Sequence, residues 1–242
     1  MSSFLILVFC SFTLFFCTSQ SVEQLTLMED EFRKQRIRMV ESQLQSRDIR
    51  NPLVLEAMKK IPRHLFMPEE TRRSAYADNP VPIGERQTIS QPYIVALMTQ
   101  TVDPRPEHRA LEIGTGSGYQ AAVLAELVGE VYSIEIISML ASRARRTLSQ
   151  LDYKNVTVRE GDGYAGWPGK SPFDIILVTA AAETIPQPLI DQLAEGGKLV
   201  MPVGSVSGIQ ALTLLTKRNG KVQRNNITGV RFVPMIGKVQ RE

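Results

Sequence analysis

From residue 109 to residue 203, short apolar runs take turns with stretches of helical spacing, and few architectures can accommodate that alternation. Residues 109–113, 131–134, 156–159, 173–178 and 198–203 read as strands, and 119–128, 138–150 and 188–193 as the helices among them. Strand–helix–strand order predicts parallel neighbours, because a parallel pair needs a crossover long enough to hold a helix. The run Ile175-Ile176-Leu177-Val178 has no polar alternate position, as expected of a strand covered on both sides. The expected fold is α/β: a doubly wound, Rossmann-like, mostly parallel sheet with helices on both faces.

Beyond Gly204 the pattern changes to strands without helices. Residues 211–217 and 222–228 flank Arg218-Asn219-Gly220, whose Asn-Gly pair is a strong hairpin signal, and 230–235 reads as a last strand. The sheet should therefore end in a C-terminal antiparallel hairpin portion. Upstream, 29–47 reads as an amphipathic helix with Phe32, Ile37, Val40 and Leu44 on one face, followed by a shorter helix over 53–60. Residues 77–91 hold Pro80, Pro82 and Gly84 without a clear period and read as a loop. Pro92 then opens a helix to about Val102, since proline is tolerated in a first helical turn.

At 242 residues, with 43% hydrophobic and 22% charged residues, the chain suits one globular domain, expected over 28–242. A net charge of +3, with basic residues spread along the chain, argues against nucleic acid as a partner. The dense run Arg33–Arg38 reads as a solvated helix face. Both cysteines, Cys10 and Cys17, lie in the N-terminal stretch, which excludes disulfides and thiol nucleophiles from the remainder. His64 and His108 are isolated and have no metal-ligand spacing, so no protein-ligated metal is expected.

Residues 1–27 stand apart. Phe4 to Phe16 is apolar except for Ser11 and Thr13, short for a membrane span and of the length of a signal-peptide core. No Lys or Arg precedes it, and Met28 begins a natural first helix, so a dispensable or misassigned extension is the other reading. No stable membrane association is expected beyond this segment.

The loop Gly114-Thr115-Gly116-Ser117-Gly118 stands where the first strand of the alternation turns into a helix. Glycines there permit a tight turn and close approach of a ligand to the backbone. Glu112 precedes the loop by two residues, and Glu135 ends the next strand, where a carboxylate can accept hydrogen bonds from ribose hydroxyls. The glycine spacing departs from the GxGxxG of dinucleotide-binding folds, because the sixth position is Tyr119.

This acidic-x-Gly-x-Gly-x-Gly pattern with a second-strand acid resembles the class I S-adenosylmethionine methyltransferases. The resemblance implies S-adenosylmethionine as co-substrate. Gly114, Thr115, Gly116 and Gly118 would border its methionyl part, with Glu112 beside them. Glu135 and Ile136 would meet the ribose, and Asp162-Gly163 the adenine. More specifically, Thr88-Ile89-Ser90-Gln91-Pro92 resembles the active-site segment of protein-L-isoaspartate O-methyltransferases. Arg38–Leu44, Pro186–Leu193 with Gly196-Gly197, Pro202-Val203-Gly204 and Val230–Met235 are similar to further segments of that family, in the same order. Tyr93 and Val95 stand where some members have histidines, and Ile236 where threonine is frequent.

The resemblance implies transfer of a methyl group to the free carboxylate of isoaspartyl residues in damaged proteins. The resulting ester collapses to a succinimide that reopens partly to aspartate. Ser90 would hydrogen-bond the acceptor carboxylate with Thr88 nearby, and the segment 230–233, Val233 included, would lie against the substrate backbone. From position alone, Ser90 also reads as the cap of the helix at Pro92. Trp167 reads as a packing residue. An acceptor carboxylate, with a pKa of about 4, is already ionised at neutral pH and needs no general base. Alignment and partial desolvation are then the enzyme's tasks. The family implies a monomer. Since the co-substrate is made in the cytosol, a cytoplasmic location is expected, with export through residues 1–19 as the alternative. Rival readings are a methyltransferase for another acceptor, a cofactor-binding protein without catalysis, and an NAD oxidoreductase.

Overall fold

A computed structural model of the chain describes residue 24 and residues 26–237. The expectation for residues 1–27 therefore falls almost wholly outside the described residues. Seven strands form the main sheet in the order β5-β4-β3-β6-β7-β8-β9. They are β3 (Arg109–Ile113), β4 (Glu130–Glu135), β5 (Val156–Glu160), β6 (Phe173–Val178), β7 (Leu193–Val203), β8 (Gln210–Arg218) and β9 (Lys221–Val230). The pairings from β5 through β7 are parallel, and β7-β8-β9 is an antiparallel meander.

The all-apolar β6 is covered on both sides. Ile175 and Leu177 join one core cluster and Ile176 and Val178 the other, as the two-residue period of a strand requires. The first cluster takes in α2 (Pro52–Lys60), α3 (Pro92–Thr101), α4 (Tyr119–Ala125) and α5 (Ser138–Gln150). The second is closed by α6 (Gln187–Asp191), with Tyr164 and Trp167 packed against it. Trp167 stands edge-on to Tyr132, with the Arg159 guanidinium 4.2 Å from its ring centroid, which accounts for it as a packing residue.

In four places the local pattern misleads. Residues 77–91 contain a hairpin of β1 (Val81–Gly84) and β2 (Gln87–Ile89). Its turn places Glu85 and Arg86 at φ 52° and 57°. Left-handed backbone costs a non-glycine residue roughly 1 kcal/mol, so neither side chain announces the turn. The first helix, α1 over 26–39, loosens into a π-helical segment, Val40–Gln45. β7 begins at Leu193, five residues before the expected strand, and a pairing irregularity against β6 absorbs Gly196-Gly197. Finally, the expected closing strand over 230–235 does not form. Val230 ends β9, and the following residues make only a bridge between Pro234 and Ala181. Pro234 has no N–H to donate, so the bonds fall on its neighbours: Ala181 N–H donates to Val233 O at 2.9 Å and Met235 N–H to Ala181 O at 2.7 Å.

Candidate active site

Strand order reverses direction about β3, and open α/β sheets bind ligands outside the carboxyl ends of the strands at that point. A cleft of about 810 Å³ lies there, walled by the loop after β3, the residues after β4 and β6, and the β2 hairpin strand. Gly114, Gly116 and Gly118 have φ of 91°, 53° and 89°, which lets the five-residue loop 114–118 turn tightly. A Cβ added at Gly116 would meet only Ile83, at 3.7 Å, so the loop backbone faces open space.

Glu135 is only 5% exposed and fixes this loop from the side. Its carboxylate accepts from Gly116 N–H at 2.7 Å and from Ile137 N–H at 2.9 Å. Each oxygen retains capacity for a further donor. Thr179, just past β6, anchors the loop from the other side by donating to Gly114 O at 2.6 Å.

A second groove, of about 1060 Å³, adjoins the first. Thr88, Ser90, Thr179 and Val233 line both spaces, so the two lie side by side at those four residues. Arg231 is the sole charged side chain among the described residues lining the groove, and no carboxylate does so. Ser90 does not cap α3: the N-cap is Gln91, without a side-chain cap bond, and its amide donates to Asp78 instead. The Ser90 hydroxyl has no hydrogen bond to the described residues, which leaves it available at the junction.

Of the residues expected at the co-substrate, Gly114, Thr115, Gly116, Glu135, Ile136 and Gly163 line the cleft, whereas Glu112, Gly118 and Asp162 do not. Glu112 points into the sheet's interior, fully buried, and accepts a hydrogen bond from Ser133, which also bonds Thr115 at 2.5 Å. Gly118 starts α4 and faces α5: an added Cβ there would stand 3.3 Å from Ala144 Cβ. Asp162 caps the turn that follows it, accepting from Tyr164 N–H at 2.9 Å. Sequence reasoning missed Thr179 and Tyr119. The switch-point rule could have indicated the former, because it directly follows β6.

Burial pushes the Glu112 carboxyl up to about 8, with Ser133 opposing and Glu135 adding to the rise. The folded pKa lies above that of the unfolded chain, so the protein holds this proton longer than the unfolded chain does. Its contribution to stability is whole below about pH 4.5 and is lost as pH rises toward about 8. Thermal melts of Glu112→Gln against the parent should show the variant gaining relative stability between pH 5 and pH 8. A gap that stays constant over that range would mean that Glu112 is charged in the fold.

The family model described as protein-L-isoaspartate(D-aspartate) O-methyltransferase (PCMT) matches residues 34–240. A protein-L-isoaspartate O-methyltransferase of Opitutus terrae is 60% identical over 200 residues, 83% of this chain and 86% of the relative. One from Syntrophus aciditrophicus is 54% identical over 87% of this chain and 98% of its own. A protein-L-isoaspartate O-methyltransferase 2 of Shewanella sediminis is 46% identical over 98% of this chain and 97% of its own, so that similarity reaches into the apolar N-terminal stretch. A solved protein-L-isoaspartate O-methyltransferase superposes with a TM-score of 0.76 at 30% identity, covering 86% of this chain and 67% of that one. A Plasmodium falciparum structure in complex with S-adenosyl-L-homocysteine gives 0.73 at 27% identity, over 83% and 98%.

Proposed function

The chain belongs to the protein-L-isoaspartate(D-aspartate) O-methyltransferase family, and from that premise we propose how its residues divide the reaction between them. It is an S-adenosylmethionine-dependent carboxyl methyltransferase acting on isoaspartyl residues of proteins. The cleft beneath the glycine loop is the co-substrate site. Glu135 accepts from the ribose hydroxyls beside Ile136. The Gly114–Gly116 backbone borders the methionyl part, and Gly163 the adenine. Glu112, Gly118 and Asp162 support this site from behind: through Ser133 and Thr115, through packing on α5, and through the turn that presents Gly163.

The adjoining groove holds the isoaspartyl peptide. One observation carries this division: Thr88, Ser90, Thr179 and Val233 line both spaces, so these residues stand where donor and acceptor can be brought together. The bound sulfonium supplies an electrophilic methyl group. Ser90 donates a hydrogen bond to the acceptor carboxylate and orients one oxygen for in-line attack, and the apolar groove strips water from it. No side chain has to remove a proton, because the acceptor arrives ionised. Strand-like pairing of the peptide with 230–233 is restricted, since Val233 O and Phe232 N–H are already engaged by Ala181 and Gln210.

The supply of S-adenosylmethionine favours a cytoplasmic enzyme, and membership of the family favours a monomer. Among the described residues no helix is long and apolar enough to cross a membrane.

Transfer of radiolabelled methyl to two peptides, identical except for isoaspartyl against aspartyl, tests the acceptor. Base-labile label on the isoaspartyl peptide alone is expected; equal labelling of both would refute the assignment. Glu135→Ala should weaken S-adenosylmethionine binding by about 100-fold in calorimetric titration, since hydrogen bonds to a carboxylate contribute roughly 1.5–3 kcal/mol each. Glu135→Gln, which keeps one acceptor oxygen, should fall between. An unaltered Kd in Glu135→Ala would remove the ribose from that carboxylate.

A further inference from the structure

Arg63 is fully buried, yet no carboxylate pairs with it among the described residues. It follows α2 in the turn Arg63–Phe66, 27 residues upstream of Ser90, which it reaches just past β2. Its Nε donates to Ala75 O and one terminal nitrogen to Ser90 O, both at 2.7 Å, while the other has no partner among the described residues. The guanidinium carbon stands 4.8 Å from the centroid of the Tyr119 ring, which lines the co-substrate cleft. Burial pulls the guanidinium down to about 10, still charged at neutral pH.

A buried charge without a counter-ion costs several kcal/mol, and an apolar side chain of similar volume would hold the same turns together more stably. What an apolar side chain cannot do is hold a peptide plane in one orientation. The carbonyl that Arg63 grips belongs to Ser90, which lines both spaces. A charge-assisted hydrogen bond from a rigid, planar fork constrains both the position and the tilt of that peptide.

We propose that Arg63 is a positioning residue for methyl transfer: it locks the Ser90 peptide from below so that the hydroxyl points at the acceptor carboxylate, and through its contact with Tyr119 it ties that peptide to the wall of the co-substrate cleft. The inference rests on the assignment of Ser90 to the acceptor carboxylate. It makes Arg63 act through Ser90 rather than on either substrate, and that route is open to measurement.

A double-mutant cycle of Arg63→Lys and Ser90→Ala on the full chain is the test. Ser90→Ala removes the hydroxyl and leaves the carbonyl that Arg63 holds. For an isoaspartyl peptide, Arg63→Lys is expected to lower kcat/KM on the order of tenfold, chiefly in kcat, because a small misplacement of an orienting group suffices for that. Its Kd for S-adenosylmethionine should stay within threefold of the parent. In the Ser90→Ala background the same substitution should cost less than threefold more. An equal loss in both backgrounds would show a merely structural role and overturn the proposal, as would a folded Arg63→Lys with unchanged kcat/KM. If Ser90→Ala by itself leaves kcat/KM intact, the Ser90 assignment fails first and this inference with it, a result distinct from additivity. Arg63→Gln, neutral but still able to donate to Ser90 O, provides the same cycle if the lysine variant does not fold.

Discussion

Gly114→Ala should lower kcat/KM by at least about 100-fold and weaken S-adenosylmethionine binding in parallel. Gly114 sits at φ 91°, where a Cβ costs roughly 1–2 kcal/mol. That Cβ would also stand 2.5 Å from Thr179 Oγ1, closer than two such atoms can come. Thr179 cannot give way cheaply, since its single hydroxyl hydrogen is held by Gly114 O at 2.6 Å, with Ile113 O at 3.1 Å as a second acceptor. Either that shared bond is lost, at about 1 kcal/mol, or the loop shifts toward the cleft it lines. A displacement of about 1 Å at reacting groups can by itself cost about 100-fold in rate. Calorimetric titration with S-adenosylmethionine and peptide kinetics would measure both effects. Gly169→Ala is the control, because nothing lies within 4 Å of a Cβ there. A Gly114→Ala variant that binds within threefold of the parent would mean the loop does not border the co-substrate.

Ser90→Ala should lower kcat/KM for an isoaspartyl peptide by about 10- to 100-fold while leaving S-adenosylmethionine affinity and thermal stability close to the parent. The size follows from one hydrogen bond to a charged acceptor, roughly 1.5–3 kcal/mol. The selectivity follows from the structure: with Gln91 as the N-cap of α3, removal of the hydroxyl takes no cap from the helix. A variant with a lowered Tm and an unchanged kcat/KM would show a structural serine and would move the acceptor contact elsewhere, Thr88 being the next donor at the junction.

Much of this is legible in the sequence. The apolar run in β6, the Asn-Gly turn at φ 52° and 71°, and the glycine loop were all identified from local pattern. Glu135 lines the cleft, as expected of a residue that ends a strand next to β3, since strand ends at a switch point face ligands. Glu112 does not line it. Its two-residue distance from Gly114 suggested contact with the ligand, whereas it turns into the sheet interior and bonds Ser133 of β4. The β1–β2 hairpin escaped notice because its left-handed turn positions are occupied by Glu85 and Arg86 rather than glycine or asparagine.

The sequence by itself determined most of the strands and helices from residue 109 onward, the sharp Asn219-Gly220 turn, and that a glycine loop meets a helix N-terminus after the first strand of the alternation. These are properties of period and of backbone freedom over a few residues. Only the tertiary structure decided that Thr88 and Ser90 from the hairpin region, Thr179 after β6 and Val233 after β9 converge on one junction, with a buried Arg63 holding Ser90 from beneath. Convergence of that kind depends on strand order, register and the routing of long crossovers. No local spacing records them, because the contacts form between residues tens to more than a hundred positions apart.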